Sequence, residues 1–175
     1  MRAQVVYASQ FGSTLEIAER IAAVLSARGV EAAAASAEDA SDPDGFDAVV
    51  IGSAVHGAHW LPAATAFARR IGPKLEARPV WLFSSGPIGD HAAGTAQPDP
   101  REVAELRPVL HPRDHRVFAG SFDRATADFS PLGIIERTVV RRFLPDGDWR
   151  DWEAIESWAA GIARSLAGSR PVAAQ

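Results

Sequence analysis

A chain of 175 residues that is 47% hydrophobic and 23% charged has the length of one globular domain with a sizeable core, and no apolar run approaches the ~18 residues that span a bilayer. Its formal net charge of −4 gives no whole-chain case for nucleic-acid binding. The lack of cysteine excludes disulfides, thiolate catalysis and cysteine-ligated metal or iron–sulfur centres.

The chain starts on a strand pattern with no basic-then-apolar leader, which predicts a protein that is not secreted. Residues 3–8 read as the first strand. Residues 13–28 read as a helix whose stripe is Leu15, Ile17, Ala18, Ile21, Ala22 and Leu25, with Gly29 as its C′ stop. A second strand is predicted over 30–35, where alanine makes the pattern weak. After the turn cluster Ser41–Gly45, residues 47–52 form a third strand apolar enough to be buried on both faces. A helix follows over 62–72 with Pro62 in its first turn, then a fourth strand over 79–84. Three glycines and three prolines make 86–100 a long loop, and 101–110 a short helix. Residues 115–120 are the fifth strand, 131–144 a helix broken by Pro145-Asp146-Gly147, and 150–168 the last helix. Residues 1–168 read as one domain and 169–175 as a short tail, with no repeat or linker.

Five strands alternating with helices predict an α/β fold, a parallel sheet with helices on both faces. Ligands of such sheets sit beyond the carboxyl ends of the strands. Three small, polar, glycine-containing loops would meet there: Ser9–Thr14, Ser53–Trp60 and Ser84–Pro87.

The first loop, Ser9-Gln10-Phe11-Gly12-Ser13-Thr14, is the most informative. It offers hydroxyls from Ser9, Ser13 and Thr14, backbone N–H groups and a helix N-terminus, the setting in which a phosphate is held. It lacks the lysine of a nucleoside-triphosphate loop and the G-x-G-x-x-G of a dinucleotide loop, so a terminal phosphomonoester suits it. The bland reading, compatible with the first, is a helix start with Ser13 as N-cap and Glu16 as its capping-box partner.

This constellation resembles the flavodoxin family. The resemblance implies a three-layer domain with strand order 2-1-3-4-5, and FMN as a non-covalent cofactor. It assigns the phosphate to Ser9, Gln10, Phe11, Gly12, Ser13 and Thr14. The isoalloxazine ring falls to Ser53, Ala54, Val55, His56, Gly57, His59 and Trp60 from one loop and Ser84, Ser85 and Gly86 from another. Within the family, Ile51–His59, Phe118-Ala119-Gly120 with the basic stretch to Phe143, and Gly147–Trp152 are similar to the menaquinone-dependent protoporphyrinogen dehydrogenases. That likeness implies a cytoplasmic FMN-dependent oxidoreductase that dehydrogenates an organic substrate, a porphyrinogen in that subgroup, and passes electrons to a quinone. A flavodoxin-type electron carrier and a flavodoxin-fold module without FMN stand as alternatives. Electron-carrying flavodoxins are rich in carboxylates around the ring, whereas the ring loops here carry His56, His59 and Trp60 and no carboxylate before Asp90.

No catalytic acid or base is assigned, and His56 and His59 lack a third ligand for a metal. Trp60 fits ring stacking or packing on the next helix equally. In 131–144, Arg137, Arg141 and Arg142 sit among Ile134, Ile135, Val139, Val140, Phe143 and Leu144. One reading is a core-facing helix with a solvated basic face. The sharper one is peripheral contact with the inner face of a membrane or with a quinone-bearing partner. Asp148 or Asp151 can cap the last helix, with Trp149 and Trp152 as staples.

Overall fold

The computed structural model describes residues 1–75, 78–89, 99–130 and 133–168. Strand β1 (Arg2–Ala8) leads into α1 (Ser13–Ala27), then β2 (Glu31–Ser36) and β3 (Ala48–His56). A short β4 (His59–Trp60) precedes α2 (Pro62–Ile71), one 3-10 turn and β5 (Val80–Ser85). The chain continues through α3 (Arg101–Leu110), β6 (Asp114–Phe118), β7 (Ser121–Phe122), α4 (Ile134–Phe143), β8 (Gly147–Asp148) and α5 (Trp152–Gly168).

The parallel sheet runs β2-β1-β3-β5-β6. Counted by its five long strands this is the expected order 2-1-3-4-5. Side chains alternate faces along a strand, and here both faces are apolar. Val5, Val50, Trp81 and Phe83 pack under Ile17, Ile21, Leu25, Ile155 and Leu166 of α1 and α5. Val6, Val49, Ile51, Val80 and Leu82 pack under Phe67 and Ile71 of α2 and Val103 and Leu106 of α3. Two buried layers on one sheet make the three-layer domain.

Local signals hold at most element ends. Gly29 has φ 82, and the N–H of Val30 returns to the carbonyl of Leu25 to close α1. Pro62 occupies the first turn of α2. Asp151 Oδ1 accepts the N–H of Ala154 at 2.9 Å and caps α5, whereas Asp148 is used by Arg150. Arg150, its side chain 7% exposed, also reaches Glu16 at 2.7 Å and lies 4.5 Å over Trp152, so this stretch locks α1 to α5.

Three expectations change. The third strand does not stop at Gly52. It runs on to His56 and turns at Gly57 and Ala58, both with positive φ, into β4, so the expected loop is a hairpin. Gly12, with φ 88, caps α1 in place of Ser13, and its carbonyl takes the N–H of Glu16. The helix predicted over 131–144 is Ile134–Phe143, and its apolar residues do not face the core. Ile134, Ile135, Phe143 and Val139 are 86%, 81%, 73% and 48% exposed. Most of the 86–100 loop, Asp90 included, lies outside the described residues, as do Pro131, Leu132 and the 169–175 tail.

Candidate cofactor site

Segments from four strand ends, with Val140 of α4 and Leu144 just after it, line a cavity of about 310 Å³, the size of a small-ligand site. From the first loop Ser9, Gln10, Phe11, Ser13 and Thr14 line it. From the hairpin come Ala54, Val55, His56 and Gly57, and from the end of β5 come Ser85 and Gly86. The three segments expected to converge do so.

The first loop has the features of an anion cradle. The first helical hydrogen bond of α1 is made by Glu16, which leaves the N–H groups of Ser13, Thr14 and Leu15 without helical acceptors. Ser9 Oγ accepts the N–H of Gly12 at 3.1 Å and shapes the bend. An added Cβ on Gly12 would meet nothing within 4 Å, so its positive φ, not crowding, requires glycine. Ser13 Oγ accepts the N–H of Ser121 at 2.9 Å and keeps its proton to donate. Thr14 is only 1% exposed and lines the cavity, and no hydrogen bond to its hydroxyl occurs among the described residues. A hydroxyl that opens on the cavity with its proton uncommitted can donate to a ligand there, and a phosphate oxygen would accept it.

Five expected site residues do not line the cavity. Gly12 acts through its backbone. Ser53 Oγ is internal, accepting the N–H of Leu61 at 2.9 Å and donating to the carbonyl of Ala54. Trp60 is 3% exposed in the α2–α3 layer, so it packs on the core rather than on a ring. Its indole N–H donates to Ser84 Oγ at 2.8 Å, which explains why Ser84 is fully buried too. His59 turns outward to Glu102, 2.8 Å away. The second oxygen of Glu102 takes the N–H of Trp60 at 2.9 Å. Burial pushes the Glu102 carboxyl up, but these two hydrogen bonds outweigh it and hold the group below its ordinary range.

Ser84, His115 and Asp99 form a chain with the spacing of a hydrolytic triad, at 2.9 and 3.0 Å. Ser84 is 0% exposed and its oxygen is already taken by Trp60, so it is no nucleophile.

Sequence reading did not foresee Ile88, Gly120, Ser121, Phe122, Val140 and Leu144 as cavity walls. Ser121 and Phe122 follow the fifth strand, whose carboxyl end was the available signal. Phe122 meets Phe11 edge-on at 5.3 Å, and Phe11 stacks on His56 at 5.9 Å, an aromatic rim beside the cradle.

The flavodoxin domain model matches residues 4–143 of this sequence. The chain belongs to the flavodoxin family. This flavodoxin-domain protein takes FMN as cofactor, and the cradle fits its phosphate: hydroxyls and free N–H groups at a helix N-terminus, with no carboxylate among the described residues that line the cavity. Among solved structures it is similar to a flavodoxin from Archaea, at 16% identity and TM-score 0.65 over 95% of this chain and 99% of that one. A cysteine-to-serine mutant of the flavodoxin from Pseudomonas aeruginosa has 17% identity and TM-score 0.59, covering 96% of this chain and 100% of that one. The rubredoxin oxygen:oxidoreductase of Desulfovibrio gigas has 15% identity and TM-score 0.62, covering 95% of this chain but 36% of that longer one. At these identities the neighbours establish the fold. No curated protein matches the sequence.

Proposed function

We propose that this protein is an FMN-dependent oxidoreductase that dehydrogenates an organic substrate and passes the electrons to a quinone while resting on a membrane surface. When bound, FMN supplies the two-electron chemistry. The protein binds its phosphate at Ser9–Thr14, borders its ring with Ala54–Gly57 and Ser85-Gly86, and covers the site with Val140 and Leu144. A porphyrinogen is the substrate suggested by the likeness of Ile51–His59 and Gly147–Trp152 to the protoporphyrinogen dehydrogenases.

The observation that carries this reading is α4. Val140, and Leu144 just past its end, wall the cavity, while Ile134, Ile135, Val139 and Phe143 point out among Arg137, Arg141 and Arg142. An electron carrier that meets only water gains nothing from this apolar face. An interfacial helix does, with arginines worth ~1 kcal/mol each near anionic lipid. Among the described residues no helix is long and apolar enough to cross a membrane, so contact would be peripheral.

The protein should sediment with anionic vesicles at low salt and be released as salt rises. Arg137→Glu with Arg142→Glu should abolish sedimentation without changing FMN content. Arg141 is left in place because its guanidinium packs 4.7 Å over Phe129. Quinone reduction on vesicles should fall, and reduction of a soluble dye should not. Absence of vesicle binding by the wild-type protein would remove this reading. The flavodoxin relationship favours the carrier alternative, and substrate turnover by the FMN-loaded protein decides between them.

A further inference from the structure

Ser84, Trp60 and the His115 side chain are buried, Asp99 stands at the surface with its side chain 39% exposed, and none of the four lines the cavity, yet together they tie β4, β5 and β6 beside its ring side. One assignment of protons gives every donor and acceptor in the chain a partner. The Trp60 indole N–H can only donate, so Ser84 Oγ accepts it at 2.8 Å. The single proton of Ser84 is then available to His115 Nε2, 2.9 Å away, which must be unprotonated to accept it. The other ring nitrogen, Nδ1, carries the proton and gives it to Asp99 Oδ1 at 3.0 Å. Arg107 completes the chain by donating to Asp99 Oδ2 at 2.6 Å.

This chain has mechanical consequences at the cavity. Trp60 pairs with Val55 across the hairpin, and Val55 lines the cavity. Ser84 is followed directly by Ser85 and Gly86, which line the facing side. The two walls nearly touch, since a Cβ on Gly86 would stand 3.1 Å from Val55 Cβ. The ladder that pairs Ala54 with Ser85 sets the spacing of the two walls, and the bond between Trp60 and Ser84 ties the returning arm of the hairpin to it. His115 holds Ser84 in the orientation that allows that bond.

We infer that His115 and Asp99 are positioning residues, acting through Ser84 and Trp60 to hold the ring-side walls of the flavin site, and that they do so only while His115 is neutral. The inference rests on the reading of Ala54–Gly57 and Ser85-Gly86 as the ring walls. A protonated Nε2 would aim a second donor at Ser84 Oγ and leave the buried Ser84 hydroxyl without its acceptor. Burial lowers the His115 pKa from the ordinary histidine value, Asp99 and Asp114 oppose that shift, and Arg107 reinforces it. The imidazole thus stays neutral at neutral pH and charges only in acid. The side chain is 2% exposed, so solvent cannot take over the lost bond.

The test is flavin affinity against pH, measured for FMN and for riboflavin. Riboflavin carries the ring but no phosphate, so a change common to both ligands comes from the ring walls and not from phosphate titration. Both should bind roughly tenfold more weakly once His115 is charged, the scale set by one buried unsatisfied group. His115→Gln keeps a neutral acceptor for Ser84 and should bind both flavins without that step. Asp99→Asn removes the charge that favours the imidazolium, and should move the step to lower pH. His59→Gln should leave it in place. A riboflavin affinity that is flat with pH, or a step that survives in His115→Gln, overturns the inference. Should His115→Gln not fold, the direction of the Asp99→Asn shift still decides. Gly86→Val tests the underlying reading: if it leaves both affinities unchanged, the assignment of the ring walls is what fails.

Discussion

Gly52→Ala should destabilise the protein by about 3 kcal/mol, the upper end of ordinary overpacking. An added Cβ would stand 1.9 Å from Cζ of Phe83, inside the ring's own contact distance. The ring has nowhere to go. Phe83 is 0% exposed and is bounded by Phe118 and Trp158, with centroids at 6.2 and 6.3 Å. Gly52 and Phe83 are paired neighbours on β3 and β5, so relief would require opening the centre of the sheet. Denaturant unfolding measures this, and the midpoint should fall while the slope is retained. Gly57→Ala provides the contrast: its φ of 56 is strained for alanine, but no atom lies within 4 Å of the added carbon. Its cost should be about 1 kcal/mol, the scale of a backbone effect. Equal losses at the two positions would mean that Phe83 has room to move.

Thr14→Ala should weaken FMN by about 1–3 kcal/mol, the worth of a hydrogen bond to a charged group. The folded protein should hardly change, because the hydroxyl hydrogen-bonds no described residue and lies beside the cavity. Riboflavin, which has no phosphate, should bind far more weakly than FMN, and Thr14→Ala should not weaken it further. Ser9→Ala should behave differently. Its oxygen accepts the N–H of Gly12, so its loss disturbs the bend that presents the other donors. Titration calorimetry with both ligands separates these outcomes. A loss of riboflavin affinity in Thr14→Ala equal to that of FMN would show that this loop does not hold the phosphate.

The residues of the chain are enough to specify a parallel sheet with helices on both faces. Runs such as Val49–Ile51 and Val80–Phe83 are apolar at every position, and only a strand covered on both sides can hide both sets. The phosphate cradle is equally legible, because a bend, its hydroxyls and a helix N-terminus are contiguous and need no distant partner. Local chemistry likewise stops α1 at Gly29 and starts α2 at Pro62. Direction of burial was not local. Trp60 and Ser84 lie next to cavity-lining residues, but a strand turns alternate side chains to opposite faces, and only the register of β3, β4 and β5 decides which face meets the cavity. The partners of His115 come from segments 16 and 31 residues away, a separation that no spacing rule encodes. Tertiary packing decided most at α4. Its periodicity promised a core face, but α1 and α5 already cover one side of the sheet and α2 and α3 the other. No strand surface remains for a fifth helix, so α4 closes the cavity with Val140, and with Leu144 just past its end, and leaves its other apolar residues facing outward.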